Sequence, residues 1–387
     1  MPLSQPLPRI LLLSAYRSDS HASWADWLTT QLPADWRVLE LPGRFFRWRI
    51  RGNPLSWLVA LEQLLGDWQP QRILATSMVD VATIKGLLPA LAPVPVSYYF
   101  HENQFAYPVT SQQHNSIDPL MVQLYGALAA DELLFNSGYN RDSFLDGVDQ
   151  LLNRLPDAVP VGIRERLAAR CYWLPVVVNP VALGAAVAVG RDPVGRDPRL
   201  ILWNHRWEYD KCPETLLATL DALTAAGVEF RLALLGGRAP KTPPVLQQIR
   251  QRYADVILVD GRVSRAEYQY WLQRATVVVS TAIHEFQGLS MLEAASAGVI
   301  PLVPDRLCYV EQYPSVYRYP CEAGAALQSA EIRGQAESCA LFPLLRDALE
   351  GRLRPCDVSP WLAADSVERW QQWLQRTTIS AAVATTR

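Results

Sequence analysis

The sequence predicts an α/β protein with two domains, each built on a parallel β-sheet flanked by helices. The chain has 387 residues, more than a single domain commonly holds. Short apolar runs alternate along it with longer amphipathic segments, the pattern of buried strands and covering helices. A polar segment rich in glycine and proline, residues 187–199, interrupts this alternation and is interpreted as an interdomain linker.

The composition excludes several classes of protein. Half of the residues are hydrophobic, enough for two buried cores, and the formal net charge of −2 predicts no general attraction to nucleic acid. RNA binding would therefore need a local basic patch. The six cysteines are dispersed without a Cys-x-x-Cys pair, which predicts reduced thiols and no zinc site. The apolar run at residues 10–13 is too short to span a bilayer, so we expect a cytoplasmic protein without a membrane partner.

The N-terminal domain, residues 1–186, is predicted to present polar side chains at the carboxyl ends of its strands, where parallel α/β sheets bind ligands. His21 follows the first strand, although a histidine there could equally cap the next helix. His101, Glu102 and Asn103 follow the fourth strand, where a row of polar side chains has no packing reason. The first loop lacks Gly-x-Gly-x-x-Gly, which argues against a dinucleotide. The predicted strands are residues 9–14, 38–41, 72–76, 96–100, 132–136 and 171–178.

Residues 44–51 combine four arginines with three aromatic residues. Neither a helical nor a strand period separates them into a buried and an exposed face, which indicates an irregular segment. Guanidinium groups pair with phosphates, and aromatic rings stack on unpaired bases. Arg44, Arg47, Trp48 and Arg49 are therefore candidates for contact with RNA. The alternative is a loop whose aromatic rings pack underneath while the arginines stay in solvent.

The C-terminal domain, residues 200–360, repeats the alternation, and a final amphipathic helix, residues 361–376, is predicted to pack back across both domains. The expected strands are residues 200–203, 230–235, 256–259, 277–280 and 299–303. The expected helices are residues 213–226, 245–253, 265–274 and 289–297.

Two cations follow the first strand of this domain. Arg206 and Lys211 stand five positions apart, and two cations near a helix N-terminus suit a diphosphate, the leaving group of a nucleotide sugar. Gly236 ends the next strand and, with Arg238 and Val263, is a candidate for contact with the nucleotide base, which is left open between guanine and uracil. The sequence shows no Asp-x-Asp motif of the metal-dependent kind, so neither a metal nor another cofactor is expected.

The strand at residues 277–280 leads into a glycine-bearing turn and an alanine-rich helix. Glu285 and Glu293 stand eight positions apart, one ahead of the helix and one inside it. Gly288 and Leu289 lie at its start, where free N–H groups attract a phosphate, while carboxylates bind sugar hydroxyls. The alternative is an ordinary strand–helix–strand unit with two solvated glutamates.

The Arg206/Lys211 pair and the Glu285/Glu293 pair resemble the retaining glycosyltransferases of the GT-B fold, family 4 type. A closer resemblance covers almost the whole chain and points to the tRNA-queuosine α-mannosyltransferases. Ser-Asp at residues 18–19 stands where that family has a glycine pair. The matching stretches are residues 20–21, Phe-His-Glu-Asn-Gln at 100–104, Tyr-Pro at 107–108, Phe-Asn-Ser at 135–137 with Asn140, His-Arg-Trp-Glu at 205–208, Asp-Lys at 210–211, and His-Glu-Phe at 284–286 with Gly288.

The resemblance implies two Rossmann-like domains with a cleft between them, and transfer of mannose with retention from GDP-mannose to the cyclopentenediol of queuosine, the wobble base of aspartate tRNA. Glu285 would contact the transferred sugar, Glu293 the ribose, and Arg206 with Lys211 the diphosphate, while His101 would lie near the sugar. The predicted contacts with the tRNA acceptor and its anticodon loop are His21, Glu102, Asn103, Arg44, Arg47, Trp48 and Arg49.

Two other functions stay open from the residues alone. One is a retaining glycosyltransferase that uses another nucleotide sugar, or a lipid or small-molecule acceptor. The other is a non-catalytic RNA-binding protein on the same scaffold, which would have no need of two cations and two carboxylates at matched positions.

Overall fold

The computed structural model describes residues 7–107, 116–179, 195–237, 242–321 and 329–384. The chain divides into two units. The N-terminal unit comprises Met1–Val176 together with Ser366–Arg387, and the C-terminal unit comprises Val177–Asp365. Each unit contains one six-stranded sheet flanked by helices, which confirms the predicted α/β class.

The N-terminal unit is built on six parallel strands. They are β1 (Arg9–Arg17), β2 (Asp35–Pro42), β3 (Arg72–Thr76), β4 (Val96–Phe100), β5 (Glu132–Phe135) and β6 (Cys171–Trp173). Their order in the sheet is β2-β1-β3-β4-β5-β6, and every neighbouring pair is parallel. All residues of β3 and β4 are buried, because helices cover both faces of the sheet centre.

Among the described residues of this unit, six α-helices connect the strands. They are α1 (Asp19–Gln31), α2 (Phe46–Leu65), α3 (Val81–Leu87), α4 (Asp118–Ala129), α5 (Gly138–Leu152) and α6 (Ile163–Ala168). The side chain of Ser137 accepts a hydrogen bond from the backbone N–H of Asn140 (3.0 Å), which makes Ser137 the N-cap of α5.

The arginine-rich segment is helical from Phe46 onward, which corrects the prediction of an irregular segment. The residue before it, Phe45, has a left-handed backbone (φ 57°) that turns the chain into α2. Two contacts with the loop after β3 hold the first turns of α2. Asn53 accepts a hydrogen bond from the backbone N–H of Asp80 (3.1 Å), and Arg51 pairs with the Asp80 carboxylate (2.8 Å). These partners are distant in sequence, so local periodicity could not reveal the helix.

The C-terminal unit is also built on six parallel strands. They are β7 (Asp197–Asn204), β8 (Arg231–Leu235), β9 (Ile257–Gly261), β10 (Ala275–Val279), β11 (Ile300–Pro304) and β12 (Arg318–Tyr319). Their order is β12-β11-β10-β7-β8-β9. The chain runs from β7 outward through β8 and β9, then returns to β10 on the other side of β7. The strand order therefore reverses between β7 and β10, which is where open α/β sheets bind ligands.

Six α-helices in the described part of this unit cover the second sheet. They are α7 (Pro213–Ala225), α8 (Pro244–Arg252), α9 (Arg265–Arg274), α10 (Leu289–Ser296), α11 (Tyr309–Gln312) and α12 (Ala330–Leu349). The sequence predicted α7 to α10 to within about two residues at their ends. It did not predict α12, whose interior contains Gly334 and Pro343, two residues that disfavour helix in isolation. Among the described residues, no helix is both long enough and apolar enough to cross a membrane.

Several predicted boundaries differ from the structure. β7 begins at Asp197, inside the segment predicted as a linker (187–199), because the Asp197 carboxylate pairs with Arg231 (2.8 Å) on β8. β6 ends at Trp173 instead of residue 178, and the two-residue β12 was not predicted. Predicted positions that lie outside the described residues are linker residues 187–194, Pro108 and Arg238.

The last helix, α13 (Ala363–Ala384), extends beyond the predicted range of residues 361–376. Trp370 and Trp373 of this helix are fully buried in the N-terminal unit. The indole of Trp373 donates a hydrogen bond to the Glu132 carboxylate on β5 (2.7 Å). The last helix of the chain therefore forms part of the core of the N-terminal unit.

Candidate active site

Lys211 lies buried between the loops that follow β7 and β10. Its ammonium group donates a hydrogen bond to the carbonyl of His284 (2.7 Å) and lies 3.3 Å from the Glu285 carboxylate and 3.2 Å from the Asp210 carboxylate. Two hydrogen bonds to backbone carbonyls tie the loops together: the Ile283 N–H donates to the carbonyl of Asp210 (2.9 Å), and the Thr281 hydroxyl donates to the carbonyl of Lys211 (2.5 Å). The lysine and the glutamate are thus held in a fixed mutual position.

The charges of this cluster support one another. Burial by itself lowers the pKa of Lys211, but Glu285 and Asp210 together raise it above the ordinary lysine value. Burial raises the pKa of Asp210 and Glu285, yet the Lys211 ammonium lowers both below their ordinary values. At neutral pH the cluster therefore holds one buried ammonium between two carboxylates.

Glu285 presents its carboxylate at the edge of the site. Its side chain is 24% exposed, whereas that of Lys211 is 6% exposed. One carboxylate oxygen accepts a hydrogen bond from the backbone N–H of Phe286 (3.1 Å), and the other faces Lys211. The side chain is thus oriented from both sides and still partly accessible, as contact with a ligand hydroxyl requires.

Gly288 forms the N-cap of α10, in a left-handed conformation (φ 63°) that favours glycine. A Cβ atom at this position would lie 2.8 Å from the ring of Tyr309, so a side chain there would collide with α11. Glycine therefore permits the close approach of α11, and the first N–H groups of α10, beginning with Leu289, are those that a helix N-terminus offers to an anion.

Glu293 lies inside α10 and belongs to a second polar cluster. Its carboxylate accepts a hydrogen bond from the Tyr268 hydroxyl (3.0 Å) and pairs with Arg265 (2.8 Å), both on α9. The side-chain amide of Asn204, the last residue of β7, donates to the Tyr268 hydroxyl (3.0 Å) and to the carbonyl of Ser290 (3.0 Å). The two predicted glutamates thus have different neighbours.

Arg206 and Gly236 flank the buried cluster. The Arg206 side chain is 62% exposed, and its guanidinium lies 3.3 Å from the Glu208 carboxylate. The structure therefore places only the lysine of the predicted Arg/Lys pair inside the described cluster. A Cβ atom at Gly236 would lie 1.8 Å from the carbonyl oxygen of His205, so the end of β8 approaches the β7 loop as only glycine permits.

Sequence reasoning gave no role to Asp210, His205 or Tyr268. Asp210 precedes Lys211 and keeps it charged, and a carboxylate beside a lysine was a signal that could have been used. His205 is 3% exposed, and burial followed by the Lys211 charge lowers the pKa of its imidazole to about 3, so it is neutral at pH 7. Tyr268 lies in an ordinary amphipathic helix, and its sequence neighbours carry no signal of its contact with Glu293.

The N-terminal unit holds a second cluster of predicted residues. The rings of His21, in the first turn of α1, and His101, just after β4, lie 4.0 Å apart between their centroids. The Ser18 hydroxyl lies 2.6 Å from Nδ1 of His21, and Trp24 packs edge-on against His101 at 4.6 Å. Burial, followed by the nearby His21, lowers the pKa of His101 well below its ordinary value. His101 is therefore a neutral imidazole at pH 7.

Glu102 and Asn103 differ in exposure. Glu102 is partly exposed, and its carbonyl accepts a hydrogen bond from Ser77 (2.8 Å). Asn103 is fully buried, donates to the Asn140 side-chain oxygen (2.9 Å) and accepts from the backbone N–H of Ala106 (2.9 Å). Both ends of the Asn103 amide are thus used to shape the loop after β4. This geometry favours a structural role for Asn103 over its predicted contact with the acceptor.

The N-terminal end of α2 presents aromatic rings and cations to solvent. Phe45 is 68% exposed and Trp48 is 49% exposed, while Arg44 lies over the Phe45 ring at 5.5 Å. Arg47 is exposed and Arg49 is half-buried. We call Arg44, Phe45, Arg47 and Trp48 the α2 surface. The third aromatic residue, Phe46, packs edge-on against Tyr16 at 5.9 Å, so one of the three rings lies underneath, as the alternative interpretation of this segment required, while the other two do not.

Among the described residues, no group of three or more His, Cys, Asp or Glu side chains is arranged to hold a metal ion. The six cysteines are free thiols, as predicted. Within the C-terminal cluster Lys211 supplies a positive charge, and Arg206 lies nearby.

Comparisons with known proteins match both halves of the chain. Residues 9–178 match a family model described as the N-terminal region of tRNA-queuosine alpha-mannosyltransferase. A Drosophila melanogaster protein named tRNA-queuosine alpha-mannosyltransferase is 33% identical over 318 residues, which cover 81% of this chain and 83% of that protein.

Solved structures resemble the chain in fold. A sucrose-phosphate synthase from Thermosynechococcus elongatus gives a TM-score of 0.66 at 15% identity and covers 96% of this chain and 100% of its own. HepE from Anabaena, in complex with UDP and glucose, gives a TM-score of 0.62 at 14% identity and covers 96% of this chain and 99% of its own. At these identities the likeness shows the fold, which is the GT-B fold of glycosyltransferases.

Proposed function

Because the chain belongs to the tRNA-queuosine alpha-mannosyltransferase family, we propose that it transfers mannose in α linkage to the queuosine of a tRNA. One structural observation carries this proposal. At the ends of neighbouring strands, the buried pair of Lys211 and Glu285 (3.3 Å) unites a cation suited to a diphosphate with a carboxylate suited to sugar hydroxyls.

GDP-mannose is the proposed donor, and retention is the proposed stereochemical outcome. GDP-mannose carries its sugar as the α-anomer, so an α-linked product preserves the configuration at the anomeric carbon. The proposed acceptor is a hydroxyl of the cyclopentenediol of queuosine at the wobble position of aspartate tRNA. The family resemblance supports these assignments.

The donor would be held by residues of the C-terminal unit. Lys211 and Arg206 bind the diphosphate together with the first amides of α10, which follow Gly288. Glu285 orients the mannose hydroxyls, and Glu293 binds the ribose. Gly236 borders the base.

The N-terminal unit is proposed to supply further contacts. His101 would contact the sugar, and His21 and Glu102 would contact the acceptor.

In the proposed reaction the bond between the anomeric carbon and the β-phosphate oxygen breaks, and its electron pair stays on the phosphate. Lys211 stabilises the charge that develops there, a preorganised contact that costs no reorganisation during the reaction. The acceptor hydroxyl attacks from the face that the phosphate leaves, and its proton passes to the departing phosphate oxygen. A metal-independent reaction is proposed, and the cations Lys211 and Arg206 together with the first amides of α10 support it, since they could stabilise this charge.

The α2 surface is the proposed contact with the anticodon loop. A Cβ atom at Gly52 would lie 2.6 Å from carbons of the Trp48 ring. The indole therefore occupies space that only a glycine at position 52 leaves open. Glycine inside a helix costs about 1 kcal/mol relative to alanine. Trp48 is 49% exposed and belongs to the same segment as the cations Arg44 and Arg47, which suits stacking on an unpaired base beside a phosphate.

Replacing Trp48 with alanine is expected to weaken tRNA binding by about fivefold to 150-fold, because stacking on one base contributes about 1–3 kcal/mol. Arg47→Ala is expected to weaken binding and to reduce the slope of log affinity against log salt by about one. Filter binding or fluorescence anisotropy at several salt concentrations would measure both effects.

Two matched variants separate these effects from general damage to the surface. Tyr172 is an aromatic residue on β6, at the sheet edge opposite β2, and is 46% exposed, so Tyr172→Ala removes an exposed aromatic side chain away from the α2 surface. Arg166 is an exposed cation on α6, so Arg166→Ala removes one charge elsewhere on the same unit. If these controls weaken tRNA binding as much as Trp48→Ala and Arg47→Ala do, the assignment of the α2 surface is wrong.

A transfer assay tests the function as a whole. Queuosine-containing and queuosine-free tRNA would be incubated with GDP-mannose and, separately, with UDP-galactose. We expect mannose to enter only the queuosine-containing aspartate tRNA. Transfer of galactose would retain the mechanism and replace the donor. Donor hydrolysis without a tRNA product would direct the search to a lipid or small-molecule acceptor, and failure to bind nucleotide would leave a non-catalytic RNA-binding protein.

A further inference from the structure

We propose that Tyr268 is a positioning residue that orients Glu293 toward the ribose of the donor and so makes the site selective for ribonucleotides. The inference rests on the proposed function, since it assumes a nucleotide-sugar donor whose ribose Glu293 binds. It adds a residue on α9 that touches no reacting atom and acts through the carboxylate it holds.

The direction of each hydrogen bond in this cluster follows from chemistry. The carbonyl of Ser290 can only accept, so the group of Asn204 that faces it (3.0 Å) must be the NH2 group of the amide. The same NH2 group faces the Tyr268 hydroxyl (3.0 Å), which must therefore accept from Asn204. The one proton of the Tyr268 hydroxyl is then left to be donated to the Glu293 carboxylate (3.0 Å).

The Tyr268 hydroxyl keeps its proton in the folded protein. Burial and the nearby Glu293 carboxylate raise the pKa of Tyr268 well above its ordinary value, so the phenol stays protonated. The hydroxyl therefore anchors one oxygen of Glu293 throughout the working pH range, while Arg265 pairs with the other oxygen at 2.8 Å. A carboxylate held in this way has lone pairs left to accept hydrogen bonds from the two ribose hydroxyls.

The cluster also joins three elements of the site. Asn204 ends β7, Tyr268 lies on α9, and Ser290 and Glu293 lie on α10, whose first turn is the proposed phosphate site. Asn204 and Tyr268 thus hold α10 and the Glu293 carboxylate in a fixed position relative to β7 and α9. Loss of the Tyr268 hydroxyl would loosen this link while leaving the Lys211 cluster untouched.

The test compares the binding of GDP and 2′-deoxy-GDP by isothermal titration calorimetry in the full-length protein. A hydrogen bond from a ribose hydroxyl to a charged carboxylate contributes roughly tenfold or more to affinity. We expect the parent protein to prefer GDP by at least about that factor. Tyr268→Phe should lose most of this preference, and Glu293→Ala should lose all of it.

Tyr270→Phe is the matched control. Tyr270 lies on the same helix and is also buried, and its hydroxyl accepts a hydrogen bond from Arg274 (3.2 Å). This variant should keep the parent preference for GDP. A general loosening of α9 would weaken both nucleotides equally and leave their ratio unchanged, so the ratio separates positioning from structural damage.

Three outcomes would overturn the inference. Tyr268→Phe could weaken both nucleotides by the same factor, which would assign Tyr268 a structural role. Glu293→Ala could retain the preference, which would show that another group binds the ribose. The parent protein could bind neither nucleotide, which would overturn the proposed donor and this inference with it; in the first two outcomes the proposed function survives.

Discussion

Replacing Lys211 with methionine is expected to lower kcat for mannose transfer by about a thousandfold, the upper range for loss of one group that stabilises transition-state charge. The ammonium lies within 3.3 Å of both Glu285 and Asp210. Its removal also leaves the buried Asp210 carboxylate without a cation, a change that costs about 3–5 kcal/mol of stability. Single-turnover transfer and thermal unfolding would be measured on the same preparation.

The double variant Asp210→Asn/Lys211→Met separates the two consequences. Neutralising Asp210 removes the unpaired buried charge, so the unfolding temperature should return toward that of the parent protein. Transfer should stay about a thousandfold slow, because the departing phosphate still lacks its cation. A double variant that both folds and transfers mannose like the parent would show that Lys211 serves only the fold.

Replacing Trp373 with alanine is expected to destabilise the N-terminal unit by about 3–5 kcal/mol. The side chain is fully buried, packs against Trp370 at 5.6 Å between ring centroids, and donates hydrogen bonds to Glu132 (2.7 Å) and Ser97 (3.2 Å). Alanine leaves a cavity and removes the donor from a buried carboxylate. Trp373→Phe keeps most of the volume and should cost only about 1–3 kcal/mol, the effect of the lost donor.

Hydrogen–deuterium exchange would locate this loss. Peptides of β4 and β5 should exchange faster in Trp373→Ala, while peptides of β7 and β10 in the C-terminal unit should be unchanged. Gln371 is exposed on the same helix, so Gln371→Ala should leave all four strands as in the parent protein. Equal acceleration in both units, or none in either, would contradict the role assigned to α13.

The alternation of strands and helices could be predicted from the sequence because it is encoded locally. The central strands are apolar runs of about five residues, and helices such as α7 and α9 have a clear period and a start signal. The positions of Lys211, Glu285 and Gly288 at strand ends followed from this alternation alone, since the carboxyl ends of parallel strands meet at one edge.

Family membership could also be predicted, because the short polar stretches around His101, Arg206 and Glu285 keep their order along the chain. The local composition of residues 44–51 indicated a surface rich in arginine and aromatic residues. It did not indicate a helix, because the start of α2 is held by contacts of Arg51 and Asn53 with Asp80, which is distant in sequence.

The tertiary structure determined why residues of the same charge have different surroundings and different proposed roles. Lys211 is buried between two carboxylates, whereas Arg206 lies at the surface. Glu285 pairs with Lys211, whereas Glu293 accepts a hydrogen bond from Tyr268. Trp373 and Glu132 are 241 positions apart and yet share a hydrogen bond. Burial and the choice of partner depend on residues brought together from distant segments, so no local pattern contains them. Local sequence therefore determined the framework and the candidate residues, and long-range packing determined which of them work together.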